Sequence, residues 1–208
     1  MLDNKKTFEE VSDSFVKKLQ ADNLTGIMVY KPFDDSYWSS YPRIVICNFE
    51  NYGYHNEKQY PPEKPIYLTL NEYKGWLKDN NTAIYSAVFV NGLKERIAGN
   101  SITQEYLSNS YHDKVQLELS MKNVTYMNLR PTSAKETKQA INETEVLVYK
   151  YNDDIKNIIL SLHPHIFIIS SEKGTELINY IFHLEKENAI NFYDPKNNFK
   201  TIGNFTAF

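Results

Sequence analysis

The sequence predicts an α/β fold: a three-layer sandwich in which a central, mostly parallel sheet of about four strands carries helices on both faces. Three observations lead there. The segments at Ile44–Cys47, Val124–Met127 and Ile166–Ile169 are unbroken apolar runs, without the alternation of a half-solvated strand. Helical periodicity fills the stretches between them. Strands and helices therefore alternate along the chain, as they do in doubly wound sheets. At 208 residues, 41% hydrophobic, the chain is long enough for one well-packed domain, taken as residues 1–208.

In chain order, Thr7-x-x-Glu10 reads as a capping box opening a helix, with Phe8, Val11, Phe15 and Leu19 at helical spacing behind it. Residues 22–42 are irregular and aromatic. The first strand ends at Asn48, and a polar loop with Pro61, Pro62 and Pro65 follows. Thr69-x-x-Glu72 opens a short helix through Trp76 and Leu77. The next helix spans about 82–97, with Ile84, Val88, Phe89 and Leu93 inward, and Gly99-Asn100 closes it. Residues 101–122 read as one more helix and a linker. After the second strand, Pro131 marks a turn and Ser133-x-x-Glu136 a third capping box. The helix behind it, with a break near Asn142, closes on Ile155, Ile158, Ile159 and Leu162 before Pro164 stops it. Ser170-Ser171 caps a helix carrying Leu177, Ile181 and Leu184, and a fourth strand falls at 189–193.

Composition narrows the function classes. Net charge is −3, with 23 basic and 26 acidic residues, so no general basic coat for nucleic acid exists, although a local basic cleft can sit on an acidic protein. Cys47 stands alone, which removes any intrachain disulfide or cysteine metal site, and within an apolar strand it reads as a small core residue. His163-Pro164-His165 lacks a third ligand nearby in sequence and reads as a helix stop and strand start, so no metal and no cofactor is expected. No stretch has the apolar length of a signal peptide or a membrane span, and the expectation is a cytoplasmic, monomeric protein that is not bound to a membrane. The 16 tyrosines read as drift accompanying the plentiful Lys, Asn and Ile.

In sheets of this type ligands bind beyond the carboxyl ends of the strands. Two of those ends carry groups suited to chemistry: Asn48-Phe49-Glu50-Asn51-Tyr52-Gly53 and Tyr126-Met127-Asn128-Leu129-Arg130-Pro131. If the two strands are neighbours, Glu50 and Asn128 share a crevice, one suited to a proton or cationic centre, the other to a planar edge. The third end, Ser171-Glu172-Lys173-Gly174, opens a helix whose N–H groups suit either a phosphate or ordinary capping.

The first of these ends resembles the opening motif of the uracil-DNA glycosylase superfamily, which reads G-Q-D-P-Y-H after an apolar strand. Glu50 falls where that family carries its water-positioning carboxylate, and Tyr52 where a tyrosine shapes the base pocket. The segment TYMNLRPTSAKETKQAI is similar to the family's next strand, whose terminal asparagine, here Asn128, reads the base. DDIKNIILSLHPHIFIISSEKGTELI is similar to its later helix, proline, strand and helix. The likeness covers residues 44–54 and 124–182. What it implies is hydrolysis of the N-glycosidic bond of a flipped uracil or other modified base, with DNA, single-stranded or uracil-containing, as partner. It assigns Glu50 and Asn48 to catalysis, Phe49, Tyr52 and Asn128 to the base, and Arg130, Ser171 and Lys173 to DNA phosphates. Asn48 and Asn51 replace the family's Gly and Pro, and its late His-Pro-Ser motif has no counterpart. The alternatives on the same scaffold are a catalytically altered module that binds nucleic acid or protein, and a small-molecule hydrolase or transferase.

Overall fold

The computed structural model describes residues 2–49, 65–78, 80–133, 137–169, 171–183, 191–194 and 199–202. Its elements are α1 (Leu2–Ala21), β1 (Met28–Val29), β2 (Ile44–Asn48), β3 (Ile66–Tyr67), α2 (Leu70–Trp76), α3 (Asn81–Ile97), α4 (Gln104–His112), α5 (Lys114–Met121), β4 (Val124–Asn128), α6 (Thr137–Lys150), α7 (Asn152–Ser161), β5 (Ile166–Ile169), α8 (Glu172–Phe182), β6 (Asn191–Asp194) and β7 (Phe199–Ile202). A 3₁₀ turn occupies Asp35–Ser39.

The three apolar runs form one parallel sheet in the order β4-β2-β5, with Ile44 opposite both Val124 and Ile166. Burial follows position. Every residue of β2 and β4 is buried, while β5, which pairs with β2 alone among the described strands, is half-buried along its length. The pleat sends Val45, Cys47, Met127, Phe167 and Ile169 into a core with α1, α7 and α8. Ile44, Ile46, Val124, Tyr126, Ile166 and Ile168 enter a second core with α2, α3 and α5. A parallel sheet covered in this way has no wet face, which explains the missing alternation in its sequence. A two-stranded parallel sheet, β1 with β3, lies alongside: Met28 N–H donates to the Pro131 carbonyl (2.9 Å) and Phe33 N–H to that of Val124 (3.2 Å).

Several expectations change. The central sheet holds three strands among the described residues, not four; β6 pairs antiparallel with β7 in a separate sheet. Helix α1 runs through Thr7 from Leu2, so Thr7 and Glu10 lie inside it and do not start it. Phe89 points outward, because α3 buries the stripe Ala83, Ile84, Ala87, Val90 and Asn91. Residues 101–122 form two helices that break at Asp113, whose carboxylate caps the second by accepting Gln116 N–H (3.0 Å). The break expected near Asn142 falls instead at Tyr151, between α6 and α7. The capping box at Thr69 is present in both its bonds, and Gly99, at φ +90°, ends α3 as expected. Residues 134–136 and Leu184 lie outside the described residues.

Buried tyrosines brace this frame. Tyr37 donates to the Leu162 carbonyl (3.0 Å), Tyr73 to that of Ala83 (2.7 Å) and Tyr151 to the Asp22 carboxylate (2.5 Å). Each ring fills apolar space and its hydroxyl finds a partner at the edge. No helix among the described residues is long and apolar enough to cross a membrane.

Candidate functional site

Strands β2 and β4 are hydrogen-bonded neighbours, and their last residues, Asn48 and Asn128, are register partners. The ladder continues one step further, with Leu129 N–H donating to the Asn48 carbonyl (2.8 Å). Register partners on parallel strands leave the sheet on the same side, so both amides stand at one carboxyl edge. Both are buried, Asn48 at 8% and Asn128 at 7% exposure. Phe49, one residue further on, is half-buried against the core beneath α1. Glu50 and Tyr52 lie outside the described residues.

The two amides differ in what they already hold. Asn128 Nδ2 donates to the Tyr30 hydroxyl (3.2 Å), which in turn lies 3.4 Å from the Arg130 carbonyl. Around Asn128 and Tyr30 is a cavity of about 30 Å³, walled by Phe15, Leu19, Met127 and Ile155. That volume admits a water or two and no ring. Asn48 is hydrogen-bonded through its side chain to the Tyr126 hydroxyl. Burial pushes that phenol up to about 12, and the Asn48 bond pulls the other way. The Asn48 Oδ1 is buried and meets no partner. Tyr126 itself is gripped edge-on by Tyr73 (5.2 Å between centroids) and Trp76 (6.0 Å).

The groups assigned to phosphate are occupied. Arg130 is buried, at 3% exposure; its Nε donates to the Thr132 carbonyl (2.9 Å) and Nη2 to Glu143 (2.8 Å), while Nη1 has no partner. Ser171 is the N-cap of α8: its Oγ accepts Gly174 N–H (3.0 Å) and its carbonyl the Thr175 hydroxyl (3.0 Å). Lys173 pairs with Glu145 (2.8 Å) and Glu176 (3.2 Å), which raise its pKa. Cys47 is fully buried, and burial pushes its thiol far up, so it holds no thiolate for nucleophilic work. His165 Nδ1 accepts Arg43 N–H (3.0 Å) beside the ring of Tyr41, so the imidazole closes the start of β5.

Tyr30, Tyr126 and Glu143 join these groups without having been singled out in the sequence. Tyr126 carried a signal, since it precedes Asn128 by two and so shares its side of the strand. Tyr30 and Glu143 carried none, because they meet the edge only through the packing of β1 and α6. No family model, no curated protein and no solved structure matches the chain.

Proposed function

We propose that the chain is a DNA glycosylase-like hydrolase, a divergent relative of the uracil-DNA glycosylase superfamily built as one domain. Its full sheet would then be the four-stranded centre of a three-layer sandwich. The observation that supports this most is the register pairing of Asn48 with Asn128, since the reading needs its first two parallel strands to be neighbours. Glu50 follows Asn48 by two residues in the sequence. In the reaction the bond from C1′ to the base nitrogen breaks and the base leaves with the electron pair. Water adds its oxygen to C1′, and its proton ends on the base. Positive charge grows on the sugar in the transition state, so a fixed carboxylate helps by charge and by aiming the water. Glu50 takes that role, and the base must leave the stack for C1′ to be reached.

The test is base release from a single-stranded oligonucleotide carrying one uracil, read as alkali-sensitive breaks. Glu50→Gln is expected to slow release by at least ~10²-fold, the scale for one positioned electrostatic group. Equal rates in the two proteins would remove Glu50 from the reaction. A second reading, a module that binds without cleaving, draws on the ion pairs of Arg130 and Lys173, which neutralise the two cations assigned to phosphate. Oligonucleotide binding with no release from any modified base favours that module.

A further inference from the structure

At the opposite end of β2 from Asn48, an open aromatic ring and an unpaired cation stand side by side. Tyr41 is 83% exposed, the most open of the large apolar side chains described. It is held all the same: its ring lies 4.8 Å from that of His165, and a single such neighbour covers at most one face. His165 is fixed in turn, because its Nδ1 accepts Arg43 N–H (3.0 Å). The Arg43 side chain is braced through Nε, which donates to the His163 carbonyl (2.7 Å). Its two Nη groups meet no acceptor and no carboxylate among the described residues. Lys18, Arg130, Lys150 and Lys173 are all ion-paired, so Arg43 stands apart from the acids that neutralise them. A guanidinium braced at Nε with its fork open is suited to an anion, and an open, braced ring to stacking.

We propose that this end of β2 is a nucleotide-binding site: the base of a free nucleotide, or of one unit in a single nucleic-acid strand, stacks on Tyr41, and its phosphate takes the open Nη groups of Arg43. A ring face alone accepts many apolar groups, and a guanidinium alone many anions. Tyr41 and Arg43 flank one imidazole, so together they match a ligand that carries a flat ring and an anion a few bonds apart. Arg43 and Asn48 are five residues apart along an extended chain, roughly 16 Å. The site is therefore separate from the carboxyl edge, and the inference does not rest on the hydrolase reading.

The probes are dAMP and a short oligo-dA strand, with 2-deoxyribose 5-phosphate and phenyl phosphate as anions that lack the base. Small probes are followed by chemical-shift titration and the strand by fluorescence anisotropy. Tyr41→Ala is expected to weaken binding of dAMP or the strand by about fivefold or more, the scale of one stacked base, and Tyr41→Trp to retain it. At 83% exposure the side chain is not part of the core, so these variants keep the fold. Arg43→Gln is expected to weaken binding of the strand and to lower the slope of log K against log salt by about 0.7, one phosphate contact on a single strand. Binding of dAMP at least as tight as that of the strand assigns the site to free nucleotides; tighter binding of the strand assigns it to nucleic acid. No binding of either, undiminished binding in Tyr41→Ala, an unchanged salt slope in Arg43→Gln, or a base-free anion bound as tightly as the better of the two overturns the inference. Base release from the uracil oligonucleotide is scored separately. Binding through Tyr41 without release keeps this inference and removes the hydrolase reading; release without binding through Tyr41 does the opposite.

Discussion

Replacing Gly174 by alanine sets two opposed effects against each other in the first turn of α8. On propensity alone alanine stabilises a helix interior by up to ~1 kcal/mol relative to glycine. The packing runs the other way. A Cβ on Gly174 would lie 2.9 Å from Ile169 Cγ2 at the end of β5, and 2.9 Å from Ser171 Oγ, the cap that accepts Gly174 N–H. Neither neighbour is the loose end of a long side chain. Ile169 sits on the strand and packs against the core beneath α1, and Ser171 must hold its rotamer to cap. Overpacking of this kind costs about 1–3 kcal/mol, and loss of an N-cap about 1 kcal/mol. Against a gain of at most about 1 kcal/mol, the balance is a destabilisation of about 1–3 kcal/mol. For a chain of this size that lowers Tm by roughly 2–12 °C. Urea melts give the number directly, with m unchanged. Gly75→Ala is the matched control. Gly75 lies in α2, where an added Cβ would meet nothing within 4 Å, so there the propensity gain of up to ~1 kcal/mol stands alone. Opposite signs at the two glycines are expected. A Gly174→Ala protein as stable as the wild type would refute the close approach of α8 to β5.

Two further outcomes follow from titrating groups. The unprotonated His165 accepts Arg43 N–H, and burial, then the Arg43 charge, lowers its pKa from 6.5. The unfolded chain therefore takes up the proton first. The contribution is complete above pH 6.5 and is lost as pH falls through the folded-state value. Urea melts at pH 7.5 and pH 5 are expected to show a larger loss for the wild type than for His165→Asn, by a fraction of ~1 kcal/mol because the ring is exposed; equal losses would exclude His165. Cys47, fully buried with a raised pKa, is expected to react with a disulfide reagent only on global unfolding, so labelling and unfolding rates in urea should coincide. Fast labelling of the native protein would contradict the packed strand.

The three central strands were legible in the sequence because burial on both faces leaves a run with no alternation, and runs of this length suit a strand where a helix needs about ten residues or more. The same pattern placed Ile155, Ile158 and Ile159 on the buried side of α7. Local signals failed where the outcome depended on a partner distant in the chain. Thr7-x-x-Glu10 has the letters of a helix start, but capping requires a chain that is not yet helical, and here the helix already begins at Leu2. The 189–193 segment has the apolar character of a strand, and which sheet it joins is settled by pairing.

The candidate edge divides in the same way. That polar residues follow apolar strands at Asn48 and Asn128 belongs to the sequence alone. That these two are register partners, that Asn128 is engaged by Tyr30 and Arg130 by Glu143, and that Asn48 keeps an oxygen free, are decisions of the tertiary structure. Hydrogen bonds are short and directional, so which donor meets which acceptor is fixed only when segments about 100 residues apart in the chain, such as Tyr30 and Asn128 (|i−j| = 98), are brought together by packing.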